Sequence, residues 1–424
     1  MQTTLFIISV VLLINTLFLL FKYCYALRLI KNRRTTSHNS YKNRFILLCP
    51  VYHEETNILR FYNQLKKLKY PTNKYDIYFI TTEREKLTPA VGKNTIEILD
   101  ALKMPNNFHI IHYPYTQGYK AEQLNYAYKN IIRNYRNIDS IFFALLDADS
   151  DVPQNYLHNI NDQIVPNIQV YQQPVAWLRN FDQLSNFSLV KSFPLLQTYF
   201  SIAYEIPMIE QLFNHIRIRH FIGNGITIRG SVLKKFNGFP SLIEDTRFGR
   251  LCSFANISSR IIPYFGNVDS APRLTILIKQ LSVWFFGTSL FIKDYKSMKA
   301  IGVRHITCKN LAFIIYAIFK TFRWLNEGLA HLIIIIIALW ANDTTILSII
   351  ICSLLLRTII PSIMIVAYTN KIHIAKINIL SAIIPIFLSP ILYMIDWLGT
   401  YLGLMKIILY KLCGRITLYK TERS

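Results

Sequence analysis

Ile141-Phe142-Phe143-Ala144-Leu145-Leu146-Asp147-Ala148-Asp149-Ser150-Asp151-Val152-Pro153 passes from an unbroken apolar run into three acidic residues at alternate positions. An apolar run rich in Phe and Leu, preceded by Asp139-Ser140, suits a fully buried strand of a parallel sheet. In such sheets ligands gather beyond the carboxyl ends of the strands. Because side chains alternate along a strand, Asp147 and Asp149 are expected to point the same way, with Cα atoms about 6 to 7 Å apart. Two carboxylates so placed repel unless a cation lies between them. Their oxygens suit Mg²⁺ or Mn²⁺, and Mg²⁺ is commonly held by one or two carboxylates plus substrate phosphates. The plainer alternative is a strand followed by a turn, because Asp and Ser are frequent turn formers.

On either side of this stretch, over residues 41–268, short apolar runs alternate with polar, helix-like segments. That pattern predicts an α/β fold of βα units with a mostly parallel sheet. Residues 45–49, 76–80 and 108–112 read as three earlier strands, 169–176 as a later one and 187–208 as a long helix. Polar residues collect after the apolar runs: Pro50-Val51-Tyr52-His53-Glu54-Glu55 after the first, Thr81-Thr82-Glu83 after the second, and Gly118-Tyr119-Lys120-Ala121-Glu122 after the third. Further on, Gly223-Asn224-Gly225 permits close backbone approach to a ligand, and Ile243-Glu244-Asp245-Thr246 places two acids at the start of a polar segment.

The two ends of the chain are apolar. Hydrophobic residues make up 52% of the 424 and mean hydropathy is +0.26, which points to a membrane component. Residues 4–21 are about long enough to cross a bilayer. No basic residue precedes them, whereas Lys22, Arg28, Lys31, Arg33 and Arg34 follow. A cleaved signal peptide has the opposite charge order, and the positive-inside rule puts the following region in the cytoplasm. Residues 273–292 read as an interfacial helix on which Gln280 and Trp284 share a face. Residues 325–340, 346–368 and 377–395 read as spans, and 311–322, interrupted by Lys320, is either a marginal span or a second interfacial helix. An even number of crossings, four with the marginal segment, returns the basic tail to the cytoplasm. The expected organisation is an N-terminal transmembrane helix and basic linker (1–40), a cytoplasmic catalytic domain (41–268), interfacial helices (269–305), a C-terminal transmembrane region (306–412) and a basic cytoplasmic tail (413–424).

Lys plus Arg outnumber Asp plus Glu by 47 to 24. Because the basic residues flank apolar segments and no nucleic-acid-binding module is present, anionic headgroups and a diphosphate are the expected partners rather than nucleic acid. Six dispersed cysteines without a C-x-x-C pair indicate neither a zinc site nor a disulfide framework. A transporter would carry ionisable residues in the middle of its spans, where few stand here. An inactive scaffold would have no use for the acidic motifs.

Taken in order, these motifs resemble one family, the membrane-integrated family 2 glycosyltransferases, which includes cellulose, chitin and hyaluronan synthases. The resemblance covers roughly residues 41–300 and the membrane plan. Pro50 to Glu55 is similar to the family's P-x-Y-N-E loop, which implies that Pro50, Tyr52 and Glu54 hold the nucleotide. Gly118 to Asn125 resembles its G-K-A-x-A-L-N segment, Asp147-Ala148-Asp149 its D-x-D, Glu244-Asp245 its E-D, and Gln280 to Trp284 its Q-x-x-R-W. Tyr419-Lys420-Thr421-Glu422-Arg423 is similar to the W-x-K-T-x-R tail of some members. Two departures stand out: Glu83 occupies the place of the family's usual base-contacting Asp pair, and Val283 replaces the arginine of Q-x-x-R-W.

The resemblance implies a GT-A-type fold and inverting transfer of sugar from a nucleotide-diphosphate sugar, first among them a UDP-sugar, to a membrane-associated polysaccharide or glycolipid acceptor, with polymer export or single transfer to a lipid-linked acceptor as alternatives. Mg²⁺ or Mn²⁺ would be bound by Asp149, with Asp147 contacting the nucleotide's ribose or the metal. Lys120 and Arg229 would add positive charge at the diphosphate, Glu83 would contact the base, Asp245 beside Glu244 would be the catalytic base, and Gln280 and Trp284 would meet the acceptor. The implied location is the plasma (inner) membrane with the catalytic domain inside. Each residue also has a structural alternative. Lys120 suits a solvated helix start, Glu244 and Asp245 favour a helix N-terminus through the macrodipole, and Trp284 suits an interfacial anchor.

Overall fold

The computed structural model describes residues 2–34, 41–87, 92–212, 218–300, 308–371 and 374–413. The motif at 419–423 and most of the basic tail lie outside the described residues. The described residues hold ten strands: β1 (Arg44–Pro50), β2 (Tyr75–Thr82), β3 (Phe108–Tyr113), β4 (Ile141–Leu145), β5 (Ser150–Asp151), β6 (Val170–Gln172), β7 (Val175–Ala176), β8 (Ile226–Arg229), β9 (Ser259–Ile261) and β10 (Gly266–Val268). Seven form a sheet in the order β3-β2-β1-β4-β8-β6-β9, and β5-β10-β7 form a smaller one. β3, β2, β1 and β4 are mutually parallel, whereas β8 runs antiparallel to both β4 and β6.

The helices between them are α1 (Gln2–Arg33), α2 (Ile58–Leu65), α3 (Thr95–Asp100), α4 (Lys120–Ile132), α5 (Tyr156–Asn161), α6 (Phe193–Phe200), α7 (Ile206–Ile209), α8 (Gly230–Phe236) and α9 (Glu244–Phe254). Alternate residues of each central strand enter different cores, which is why these strands read as continuous apolar runs. Ile46, Leu48, Phe143 and Leu145 pack with Leu124 and Ala127 of α4, Val232 of α8, and Tyr23, Ala26 and Ile30 of α1. Phe45, Leu47, Phe142 and Ala144 pack with Ile58 and Phe61 of α2, Leu99 of α3 and Tyr156 of α5. The segment 169–176, expected as one strand, breaks at Gln173-Pro174 and serves both sheets. The expected helix over 187–208 is α6 and α7 joined by a π-helical turn, Ser201–Glu205.

After α9 come α10 (Leu274–Thr288), α11 (Phe291–Ala300), α12 (Cys308–Trp340), α13 (Thr344–Arg357), α14 (Ile359–Lys371), α15 (Ile379–Ile395) and α16 (Trp397–Cys413). Five helical stretches among the described residues are long and apolar enough to cross a membrane: Gln2–Arg33, Leu274–Met298, Asn310–Trp340, Thr344–Lys371 and Ile379–Cys413. Two expectations change. Residues 311–322 and 325–340 are not separate segments but one continuous helix of 33 residues, about 50 Å long at the α-helical rise. In addition, the region read as interfacial is long and apolar enough, taken through Met298, to be a candidate span itself.

α10 packs along α16, where Gly399 and Gly403 lie one turn apart on the contact face. A Cβ at Gly399 would fall 2.6 Å from Leu281 Cβ, and one at Gly403 would fall 2.8 Å from Ser282 O. This G-x-x-x-G spacing lets the two backbones approach as membrane helices do through small residues. It seats α10 against the bundle, and with it Trp284.

Candidate active site

At the carboxyl end of β4 the chain does not continue as a strand. Asp147-Ala148-Asp149-Ser150 closes a tight turn, with the Ser150 N–H donating to Asp147 O at 3.1 Å and the Ser150 hydroxyl to the same oxygen at 2.6 Å. The turn alternative therefore holds for the local backbone, and the strand-alternation spacing of the two aspartates does not apply. Arg60 of α2 braces the turn from outside by donating to Ala148 O (3.0 Å), Ser150 O (2.9 Å) and Asp151 Oδ1 (2.8 Å).

Inside, the turn faces a cavity of about 580 Å³. Of the residues singled out in the sequence, Pro50, Tyr52, Glu54, Lys120, Asp147, Asp149, Glu244, Asp245 and Trp284 all line it. Lys120 opens α4, whose start is fixed by the Glu122 carboxylate accepting the Tyr119 N–H at 2.8 Å. Its ammonium lies 2.6 Å from Asp147 Oδ1 and 3.4 Å from Glu244 Oε1. Burial opposes that charge, but Asp147 and then Glu244 more than offset it and hold the lysine above its ordinary range. Asn224 accepts the Asp147 N–H at 3.1 Å. Gly223 leaves room for both charged groups, since a Cβ there would stand 3.0 Å from Asp245 Oδ2 and 3.2 Å from Lys120 Nζ.

Asp245 sits at the start of α9. Burial, then the neighbouring Glu244, push its carboxyl up to about 7 against the opposing pull of Lys120 and the Thr246 N–H. The two residues before this pair, Leu242 and Ile243, have φ of 62° and 51°. The left-handed region is costly for a β-branched residue such as Ile243, and strain of this sort gathers at functional sites. Ile243 is held there by α10, where a Cβ at Gly287 would meet its Cδ1 at 3.1 Å.

Behind α9, the fully buried Asp294 of α11 pairs with Arg247 and, at 3.0 Å, with Arg250, which also donates to Gly287 O at 2.7 Å. This buried triad clamps the acidic helix to the α10–α11 pair. Asp294→Ala is expected to cost about 3–5 kcal/mol, since it leaves two buried guanidiniums without their carboxylate. Thermal unfolding in detergent reads this directly, and an unchanged midpoint would show that the triad contributes nothing to stability.

Three residues singled out in the sequence do not line the cavity. Arg229 lies opposite Phe142 in the antiparallel β4–β8 register, at the end of β4 far from Asp147, and its guanidinium stacks 4.9 Å from the Phe142 ring. Glu83 pairs outside the cavity with Lys86 (3.0 Å) and His112 (2.9 Å). Gln280 is 4% exposed but buried away from the cavity, its Oε1 without a hydrogen-bond partner among the described residues.

Other residues enter in their place. Arg84, one position beyond Glu83, lies over the Tyr52 ring at 4.3 Å and donates to Gly118 O at 2.9 Å. Trp177 meets Trp284 edge-on at 5.4 Å, with Phe193 at 6.3 Å from Trp284. The cavity then continues among residues of the long apolar helices, including Lys320, Arg323, Trp324, Arg357 and Asp396. Among these, Arg357 pairs with Glu327 at 3.1 Å. A lone Arg after a Thr-Thr-Glu run offers no signal from sequence, whereas Trp177, directly after the expected strand 169–176, is an aromatic signal legible in the chain.

A mostly parallel sheet carrying a carboxylate turn beyond its central strand, with an N-terminal helix and a C-terminal bundle of apolar helices, is a GT-A-type transferase architecture. The sequence matches the family described as glycosyl transferase family group 2 over residues 142–395, more than half the chain, and the protein belongs to that family. Its fold is similar to that of the mannosyltransferase PcManGT from Pyrobaculum calidifontis in complex with GDP-Man and Mn²⁺, with a TM-score of 0.57 and 12% identity over 96% of this chain and 99% of that one. S. aureus TarS 1-349 aligns with a TM-score of 0.39 and 10% identity over 88% of this chain and 92% of that one. The same TarS fragment in complex with UDP-GlcNAc aligns with a TM-score of 0.36 and 12% identity over 72% and 89%. No curated protein matches the sequence.

Proposed function

We propose that this protein is a metal-dependent inverting glycosyltransferase that moves a sugar from a nucleotide-diphosphate donor, a UDP- or GDP-sugar, onto a membrane-associated polysaccharide or glycolipid acceptor. The observation that carries this reading is the single cavity in which Tyr52, Lys120, Asp147, Asp149 and Asp245 stand at one end and residues of the apolar helices at the other. A donor bound against the sheet and an acceptor entering from the bundle would meet at Asp245.

The carboxylate donors suit the expected ion, because Asp147 and the buried Asp149 offer only hard oxygen ligands. Mg²⁺ or Mn²⁺ held there would supply Lewis-acid stabilisation of the leaving diphosphate. Tyr52 with Arg84 stacked on it forms a wall for the base, while Lys120 adds fixed positive charge where negative charge develops. Asp245 takes the proton of the acceptor hydroxyl as its oxygen bonds to the anomeric carbon; the bond to the diphosphate breaks from the opposite face, and its electrons leave with the nucleotide. That direct displacement inverts the anomeric centre. Trp284 and Trp177 provide aromatic surface for the acceptor. Val283 also lines the cavity, an apolar group where the related motif carries arginine, so the cationic role at the diphosphate falls to Lys120 and Arg84. The basic residues in the C-terminal part of α1, Lys22, Arg28, Lys31 and Arg33, with Arg34 just beyond it, support a cytoplasmic catalytic region in the plasma (inner) membrane.

The test is release of nucleotide from a panel of UDP- and GDP-sugars by the full chain in detergent, with lipid extract as acceptor. One donor is expected to turn over with Mn²⁺ and to stop in EDTA. No release from any donor overturns the reading.

A further inference from the structure

The two loops that wall the nucleotide end of the cavity carry a second set of polar groups on their reverse side. Tyr52 and Glu54 line the cavity after β1 and Arg84 lines it after β2, whereas their chain neighbours His53, Glu55 and Glu85 do not. Those three converge instead, with one ligand atom from each within 4.8 Å of the others. His53 Nδ1 is 3.2 Å from Glu55 Oε1. Glu85 is 1% exposed, and its Oε1 accepts the Thr95 N–H at 2.9 Å. Its Oε2 is buried with no hydrogen-bond partner among the described residues.

A carboxylate oxygen withdrawn from water carries a heavy penalty unless something positive or hydrogen-bonding answers it. An ion pair between His53 and Glu55 alone would leave Glu85 Oε2 unanswered beside a second carboxylate. A divalent cation answers all three groups, and the two carboxylates cancel its charge. We propose that His53, Glu55 and Glu85 bind a divalent first-row transition ion, separate from the ion assigned to Asp147 and Asp149, that pins together the two loops walling the nucleotide pocket. The imidazole nitrogen favours ions such as Zn²⁺ over Mg²⁺ or Ca²⁺, which prefer oxygen donors throughout, and Mn²⁺, a weaker binder at such mixed sites, serves as the spectroscopic probe that Zn²⁺ displaces. Thr95 extends the clamp, since its hydroxyl accepts the Glu54 N–H at 2.9 Å while its own N–H binds Glu85. The ion thereby connects β1, β2 and α3 directly behind Tyr52, Glu54 and Arg84.

The site does not depend on sugar transfer, so the test counts ions without nucleotide. Full-length Asp149→Asn protein, stripped with chelator and titrated with Mn²⁺ by electron paramagnetic resonance of the free ion, is expected to retain one site per chain, from which Zn²⁺ displaces Mn²⁺. Adding Glu85→Gln should weaken that site by at least about tenfold, the scale of losing a metal-supporting group. His53→Gln on the same background should do likewise, and because His53 is partly exposed it serves if the Glu85 variant does not fold. Absence of binding in Asp149→Asn, or binding unchanged by His53→Gln or by a folded Glu85→Gln variant, overturns the proposal. A failure of transfer in the donor panel leaves this ion count untouched.

Discussion

Asp245→Asn is expected to lower turnover at least about 100-fold while leaving nucleotide affinity nearly unchanged. That loss corresponds to about 2.7 kcal/mol of barrier. If Asp245 is the base, it acts on the acceptor hydroxyl, so amide replacement keeps the shape of the site and removes only the proton acceptor. The alternative, a carboxylate that merely starts α9, makes a different claim: its loss would cost about 1 kcal/mol of stability and leave turnover per folded molecule intact. Measuring nucleotide affinity by calorimetry beside turnover separates the two, and a fully active Asp245→Asn enzyme removes this residue from the mechanism. The pH profile adds an independent check. With its carboxyl pushed up to about 7 by burial and Glu244, Asp245 is a competent base only above that value, so turnover should fall as pH drops through 7. Glu244→Gln removes the adjacent negative charge and should shift that limb to lower pH. A profile unmoved by Glu244→Gln would mean that the titrating group lies elsewhere.

Much of the donor end of this cavity could be read from the chain because local signals there agree. Apolar runs mark strands buried on both faces, and in a parallel arrangement the residues following each run gather on one edge; Pro50, Tyr52, Glu54, Lys120 and Asp147 did so. Local signals are silent where direction or contact between distant segments decides. Nothing in Ile226-Thr227-Ile228-Arg229 reveals that β8 enters the sheet antiparallel, yet that reversal alone carries Arg229 to the wrong end of β4. At the end of β2 the chain turns into a short 3-10 helix, Glu83–Leu87, and a one-residue difference in facing exchanges Glu83 for Arg84. The break expected within α12 came from Lys320, whose ammonium lies 4.6 Å over the Tyr204 ring. In the fold Glu327 is answered by Arg357 and by Asn15 of α1 at 3.0 Å, so an ionisable residue is accommodated inside a continuous apolar helix. The Gly399–Gly403 spacing was visible throughout, but only α10 lying on it gives it meaning.

Asp149 supplies the remaining large effect, and here binding and chemistry should fail together. Asp149 is 5% exposed beneath the turn, and Asp147 lies 2.6 Å from the Lys120 ammonium. Asp149→Asn preserves volume and leaves the Lys120–Asp147–Glu244 arrangement standing, so the variant is expected to fold and insert normally. What it loses is an anionic ligand for the diphosphate-associated ion. Nucleotide affinity in Mn²⁺ should therefore fall to the value measured in EDTA, and turnover should drop at least about 100-fold, the usual scale for removing one stabilising group from a developing anion. Asp149→Ala should abolish transfer outright. If Lys120 and Arg84 alone carried the leaving charge, neither chelation nor these substitutions would matter, and full activity in Asp149→Ala or in excess EDTA would dismiss the ion from the reaction. Lys120→Met sharpens the comparison: it removes fixed charge but not a metal ligand, so its nucleotide affinity should still respond to Mn²⁺, where that of Asp149→Asn should not.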